Sequence, residues 1–107
     1  MVLKTNERKA LDDLKKILAG QFELLDFRLF GSRARGTGDP DSDLDIMIEL
    51  PEINPQIEAH IDSIIFKINL ENDAFISAVL FGEKEIREGP MSESPLYKVI
   101  QKEGVPI

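Results

Sequence analysis

Cysteine and tryptophan are absent from this chain, there is one histidine, and no apolar run is long enough to span a bilayer. Without cysteine there is no disulfide framework and no thiolate metal site. No charged-then-apolar leader is present at the start, so the expectation is a cytoplasmic protein with no membrane association. Basic charge is also scarce: 13 Lys and Arg stand against 20 Asp and Glu, a formal net charge of −7. That balance argues against strong non-specific nucleic-acid binding, which needs a basic footprint. It leaves nucleotides open, because one metal-bearing pocket can overrule the global sign. The 107 residues are 42% hydrophobic and 31% charged. Residues 1–107 are expected to form a single domain with a modest core.

Hydrophobic periodicity gives the element order. Ala10, Leu11, Leu14, Ile17 and Leu18 predict a helix over Thr5–Ala19, capped by Thr5 or Asn6 and stopped by Gly20. Phe22–Phe30 reads as a strand, with Leu25, Phe27 and Leu29 alternating with Asp26 and Arg28. A glycine-rich segment follows, then a second strand, Leu44–Leu50. Pro55 opens a second long helix carrying an Ile57, Ile61, Ile64, Ile65 and Ile68 stripe. Ala74–Phe81 is a third strand, Glu83–Glu88 a short helical turn, and Pro95–Lys102 a last helix. The predicted class is α/β (α+β), a small mixed sheet with helices packed on one face, in the order α-β-β-α-β-α.

The segment LFGSRARGTGDPDSDLDIMIEL, Leu29–Leu50, concentrates the unusual chemistry. Alternation puts Leu44, Ile46, Ile48 and Leu50 on one face of the second strand. Asp43, Asp45, Met47 and Glu49 fall on the other, which should meet solvent, a ligand or a metal. Asp43 and Asp45 are two residues apart, roughly 6.6 Å between Cα atoms, so both carboxylates can converge on one cation.

Four readings compete for this segment. A phosphate-binding G-x-x-x-x-G-K-[ST] loop fails because Thr37 and Gly38 occupy the Lys and Ser/Thr positions. A calcium loop running from Asp41 through Asp43 and Asp45 to Glu52 fails at its sixth position, where Ile46 replaces the required glycine. Plain turn chemistry explains Asp39 and Asp41 but not Asp45, which carries the acidic row into a strand. The fourth reading is metal-assisted phosphoryl or nucleotidyl transfer. Asp43 and Asp45 would clamp a magnesium ion, Gly31 and Ser32 would hold phosphate oxygens, and Arg33 and Arg35 would neutralise phosphate charge.

Gly31-Ser32, ten residues, then Asp43-x-Asp45 resembles the G-S-x10-D-x-D signature of the minimal nucleotidyltransferase (MNT) family. That family lies within the DNA polymerase β-like nucleotidyltransferase superfamily. The flanks FGSRARG and SDLDI match as well. The resemblance implies a nucleotidyltransferase-like fold, with Gly31 and Ser32 on the triphosphate and Asp43 and Asp45 as catalytic Mg²⁺ (or Mn²⁺) ligands. It implies transfer of a nucleoside monophosphate, AMP from ATP, to a hydroxyl acceptor. It further implies a small helical HEPN-type toxin as partner, with this chain as antitoxin. The superfamily carries a third carboxylate on the next strand. Here that place falls near Ser77, which is neutral; Asp73 and Glu71 lie further back. The alternative is therefore a catalytically impaired nucleotide- or metal-binding module that neutralises a partner by contact. His60 reads as a solvated surface residue, Tyr97 as packing, and Ser77 as a small residue packed under the site.

Overall fold

The structure, a computed structural model, describes residues 2–107, with Met91 and Ser92 by their backbone alone. The elements run α1 (Thr5–Gln21), β1 (Asp26–Phe30), α2 (Ser32–Arg35), β2 (Leu44–Leu50), α3 (Pro55–Asn72), β3 (Ile76–Gly82), α4 (Glu83–Glu88), a 3₁₀ turn (Pro90–Glu93), α5 (Pro95–Glu103) and β4 (Val105–Pro106). The sheet order is β3-β2-β1-β4. β1 is antiparallel to β2 and to β4, and β2 is parallel to β3. The expected order α-β-β-α-β-α is the backbone of this list. The additions are the single turns and the two-residue β4, which pairs with Arg28 and Leu29.

The helix termini follow their local chemistry. Asn54 caps α3, its side chain accepting from the Ile57 N–H at 2.8 Å, and Pro55 takes the first turn as its missing N–H allows. α3 ends at Asp73 in a left-handed conformation, φ 51°. α1 begins at Thr5 as expected, but its N-cap is Lys4, one residue before the predicted caps. The Lys4 backbone N–H donates to Glu7 Oε1, while the Asn6 side chain instead donates to the Asn72 and Asp73 carbonyls at the end of α3. α1 runs through Gly20 to Gln21.

Both long helices pack on one sheet face. Ala10, Leu11, Leu14 and Leu18 of α1 and Ile61, Ile65 and Ile68 of α3 bury Phe27, Leu29, Leu44, Ile46, Ile48, Leu50 and Ile76. The one-face arrangement holds for α1 and α3 but not for the C-terminal part of the chain. α4 and α5 cover the opposite face, where Met47, Phe81 and Ile100 form a second core with Phe30, Val79, Ile86 and Tyr97 beside them. Met47 is therefore buried rather than open to solvent or ligand. Its thioether packs under α5 because an unbranched apolar side chain on the acidic face has no other way to leave water. On the acidic face of β2, Met47 is covered while Asp45 and Glu49 on either side of it stay partly exposed.

Candidate functional site

The pairing of β1 with β2 builds the site. Phe30 is the register partner of Asp45, so the chain leaving β1 at Gly31 passes beside the Asp45 carboxylate. Gly31 has φ 78° and ψ −162°, a region that essentially only glycine occupies. A Cβ at this position would stand 2.5 Å from Asp45 Oδ2. Glycine is thus required twice: for the backbone angle, and for the approach of main chain to carboxylate. Ser32 follows, opening the single turn α2, which closes at Gly36 in the left-handed region. The loop then folds back. At Gly38 a Cβ would collide with the Ser32 side chain and lie 3.2 Å from Ser42 Oγ.

The acidic row divides. Asp39 organises the turn: its side chain accepts from the Asp41 N–H at 2.8 Å, and its carbonyl accepts from the Ser42 N–H and hydroxyl. Asp41 pairs with Lys4 at 2.8 Å on the surface. Asp43 is exposed just before β2, and Asp45 is half-buried within it. Burial, and next the charge of Asp43, raise the Asp45 carboxyl above its ordinary pKa. The two acids supply hard oxygen donors with an unmet demand for positive charge, a donor set that suits Mg²⁺ or Mn²⁺. Among the described residues no group of three or more His, Cys, Asp or Glu is placed to hold a metal. The pair would thus need other oxygens, such as phosphates, to complete a coordination shell.

The two arginines part company. Arg33 was expected to meet phosphate; its guanidinium instead points inward and binds Glu7 of α1 through two bonds, Nη1 to Oε2 at 2.9 Å and Nη2 to Oε1 at 2.6 Å. It also donates to the Ser42 carbonyl at 2.9 Å and to that of Val2 at 3.3 Å. The two side chains are 5% and 8% exposed, so this is a buried pair. Burial works against the charge of Glu7, but the Arg33 and Lys4 N–H bonds outweigh it and hold its pKa below the ordinary value. Arg33 therefore ties α2 to α1 and to the residue preceding Asp43. Arg35 keeps a half-exposed side chain with one long contact, 3.7 Å, to Glu103.

On the other side of β2, Asp45 and Ser77 are register partners in the parallel ladder. Ser77 thus occupies the place beside Asp45 where a third acid would stand. It is exposed, not packed beneath the site. Asp73 lies in the turn before β3, outside the strand register. His60 is exposed and contacts Gln21 through Nε2 at 2.6 Å. Tyr97 packs edge-on against Phe81 and makes a long contact, 3.5 Å, to Glu49. Glu49 is half-buried at the covered end of the strand, and burial, then Asp26 and Glu83, push its carboxyl upward.

Glu7 is the residue the sequence reading passed over. In TNERKAL it looks like a solvated first-turn acid. Its signal is position: residue 7 sits three and four before Ala10 and Leu11, on the same stripe as Leu14 and Leu18. An acid on an apolar stripe asks for a buried cation, and Arg33 supplies it.

The sequence matches the nucleotidyltransferase domain family over residues 9–103. Two solved structures share the fold. One is a toxin-antitoxin with AMP-PNP, 19% identical, aligned over 90% of this chain and 70% of that one with a TM-score of 0.61. The other is a nucleotidyltransferase by description, from Sulfolobus solfataricus, 20% identical over 99% of this chain and 89% of that one, TM-score 0.57. Comparison with curated proteins finds no match.

Proposed function

The chain belongs to the nucleotidyltransferase domain family, and from that premise we propose that it transfers AMP from ATP to a hydroxyl on a partner protein. The partner is a small helical toxin of the HEPN type, and this chain acts in the cytoplasm as the antitoxin. The observation that carries the reading is the close approach of the Gly31 main chain to Asp45, where an added Cβ would stand 2.5 Å from Oδ2; it supports a turn that holds phosphate beside the strand whose acids would hold the metal. The structure solved as a toxin-antitoxin with AMP-PNP supports an adenine nucleotide and a toxin as partner; the HEPN type rests on the resemblance to the MNT family.

In this reading Asp43 and Asp45 hold Mg²⁺, Gly31 and Ser32 hold the triphosphate, and Arg35 supplies further positive charge. Arg33 leaves the phosphate-binding set and positions the turn instead. When bound, the metal supplies charge neutralisation at the attacking and leaving oxygens. The acceptor oxygen bonds to the α-phosphorus, the bond to the β-phosphate bridging oxygen breaks, and pyrophosphate departs. The acceptor gives up its proton to solvent, since Ser77 offers no base for it.

That last point favours a second reading, a module that keeps nucleotide or metal binding and silences its partner by contact. One assay separates the two. The protein is incubated with labelled ATP, Mg²⁺ and the product of the neighbouring gene, beside Asp43→Ala and Asp45→Ala. Label on the partner that disappears in both variants supports transfer. A wild type that silences the partner without labelling it supports the contact reading and overturns transfer.

A further inference from the structure

β3 is an edge strand: it pairs with β2 alone among the described residues. Its sequence, Ile-Ser-Ala-Val-Leu-Phe-Gly over Ile76–Gly82, contains no charge and no proline. Edge strands normally carry such features, because an open row of N–H and C=O groups templates pairing with another chain. Along a parallel ladder, residues bonded to the neighbouring strand alternate with residues whose N–H and C=O point away. The side turned outward is known here. The Phe75 carbonyl accepts from the Leu44 N–H, whereas Ile76 gives its N–H to Asn69 Oδ1 at 2.9 Å and accepts from Asn69 Nδ2 at 3.2 Å. Ile76 therefore faces away from β2 and is closed off by Asn69. Ala78 and Leu80 share its direction, and no described residue pairs with them on that side.

The same edge bears an exposed apolar patch. Phe66 and Leu70 of α3 and Phe75 before β3 are 67%, 69% and 64% exposed, and they line one cleft with Asn69. Three such side chains expose on the order of 300–400 Å² of apolar surface, a size at which a patch on a monomer is often functional.

We propose that β3 is the interface of a homodimer, in which two copies of this chain pair antiparallel about Val79 into one continuous sheet. The two-fold makes the strand its own complement: Ala78 of each copy exchanges both backbone hydrogen bonds with Leu80 of the partner subunit. Four open groups on each copy are then satisfied at once. α3 lies beside β3 on the same sheet face, so the two copies of α3 approach each other and cover Phe66 and Leu70. The occupant is a second copy rather than a charged partner because the strand offers neither sign of charge to read, while its apolar flank is matched by symmetry. A stable interface needs about 800 Å² per partner, and the patch supplies roughly half of that, leaving the strand edge and the facing helix to provide the rest. This inference stands independently of the transfer reaction.

Sedimentation velocity and amide exchange test it. At roughly 0.1 mM the wild type should sediment at twice the 12.1 kDa chain mass, with the Ala78 and Leu80 amides protected and their protection falling on dilution. The double variant Phe66→Glu/Leu70→Glu alters two exposed positions, so its circular dichroism should match the wild type and its melting should match that of wild type diluted to the monomer, while it sediments as a monomer at the same concentration. A monomeric wild type overturns the proposal. So does a dimer whose Ala78 and Leu80 amides exchange freely, or one that survives the double substitution.

Discussion

Asp45 and Ser77 face the same side of the sheet as register partners on neighbouring parallel strands. On the proposed transfer reaction, a carboxylate at residue 77 would stand beside Asp45, where it could share the proposed metal and accept the proton of an attacking hydroxyl. Ser77→Asp is accordingly expected to raise the rate of AMP transfer, by about 10²-fold where proton removal limits it. The same change adds a third negative charge to an already acidic end of β2. It should lower the melting temperature in the absence of metal and increase the stabilisation produced by Mg²⁺. Initial rates of labelled-nucleotide transfer and melting curves with and without Mg²⁺ check both halves. No change in rate or in metal response would mean that residue 77 does not adjoin the reacting centre.

The pH dependence of stability should carry two opposite signatures. The Asp45 carboxyl is raised by burial and by Asp43. A carboxyl whose folded pKa exceeds its unfolded value favours folding while protonated. That contribution is present below the ordinary Asp value of about 3.9 and is lost as pH rises through the folded pKa. Asp45→Asn should therefore melt above the wild type at neutral pH, the gap closing on acidification. Glu7 is lowered, its Arg33 and Lys4 bonds outweighing burial. Its contribution is present above the ordinary Glu value of about 4.3 and is lost as pH falls through the folded pKa. Glu7→Gln should thus flatten the acid side of the wild-type profile. Melting temperatures for the three proteins across the acid range decide the matter, and parallel curves would contradict both assignments.

The strands and long helices were legible because each satisfies its own period: the isoleucine stripe of α3 and the apolar parity of β2 have no other use. That Gly31-Ser32 and Asp43-x-Asp45 belong together was implied by the resemblance to the MNT signature; the approach of the Gly31 main chain to Asp45 itself follows from the register of β1 on β2. The failures have physical causes. Two residues, one of them Pro106, carry no alternation, so β4 left no pattern. Arg33 and Arg35 look equivalent in sequence, and only the helical direction of α2 sends one inward. Met47 was grouped with the acids on the face left to solvent or a ligand; α5 (Pro95–Glu103) covers that face from a distant part of the chain, beyond any local period.

Breaking the Arg33–Glu7 pair should be the most damaging single change near the site. Either partner alone would be left charged and buried. Arg33→Ala or Glu7→Ala should each cost about 3–5 kcal/mol. The double variant should cost less than the sum of the two, because neither charge remains. Arg33→Lys should recover only part of the loss, since an ammonium cannot reproduce the forked donation to Glu7 together with the bonds to Ser42 and Val2. Urea unfolding of the four variants gives the cycle. Additive single losses would show that the pair is not coupled.

Gly31→Ala tests the site without removing any of its polar groups. The backbone angles at this position cost a side-chain-bearing residue roughly 1–3 kcal/mol. The added methyl also meets Asp45 Oδ2, so the carboxylate must rotate or the turn must lift away from it. Either adjustment separates the turn proposed to hold phosphate from the acids. Nucleotide affinity measured in Mg²⁺ should therefore fall further than the loss of stability alone explains. Gly20→Ala is the control: nothing lies within 4 Å of its added Cβ. It sits within α1, where alanine is favoured by about 0.5–1 kcal/mol. That variant should be more stable than wild type and bind nucleotide unchanged. Should Gly31→Ala bind nucleotide as tightly as Gly20→Ala once both are shown to be folded, the turn and Asp45 do not form one site.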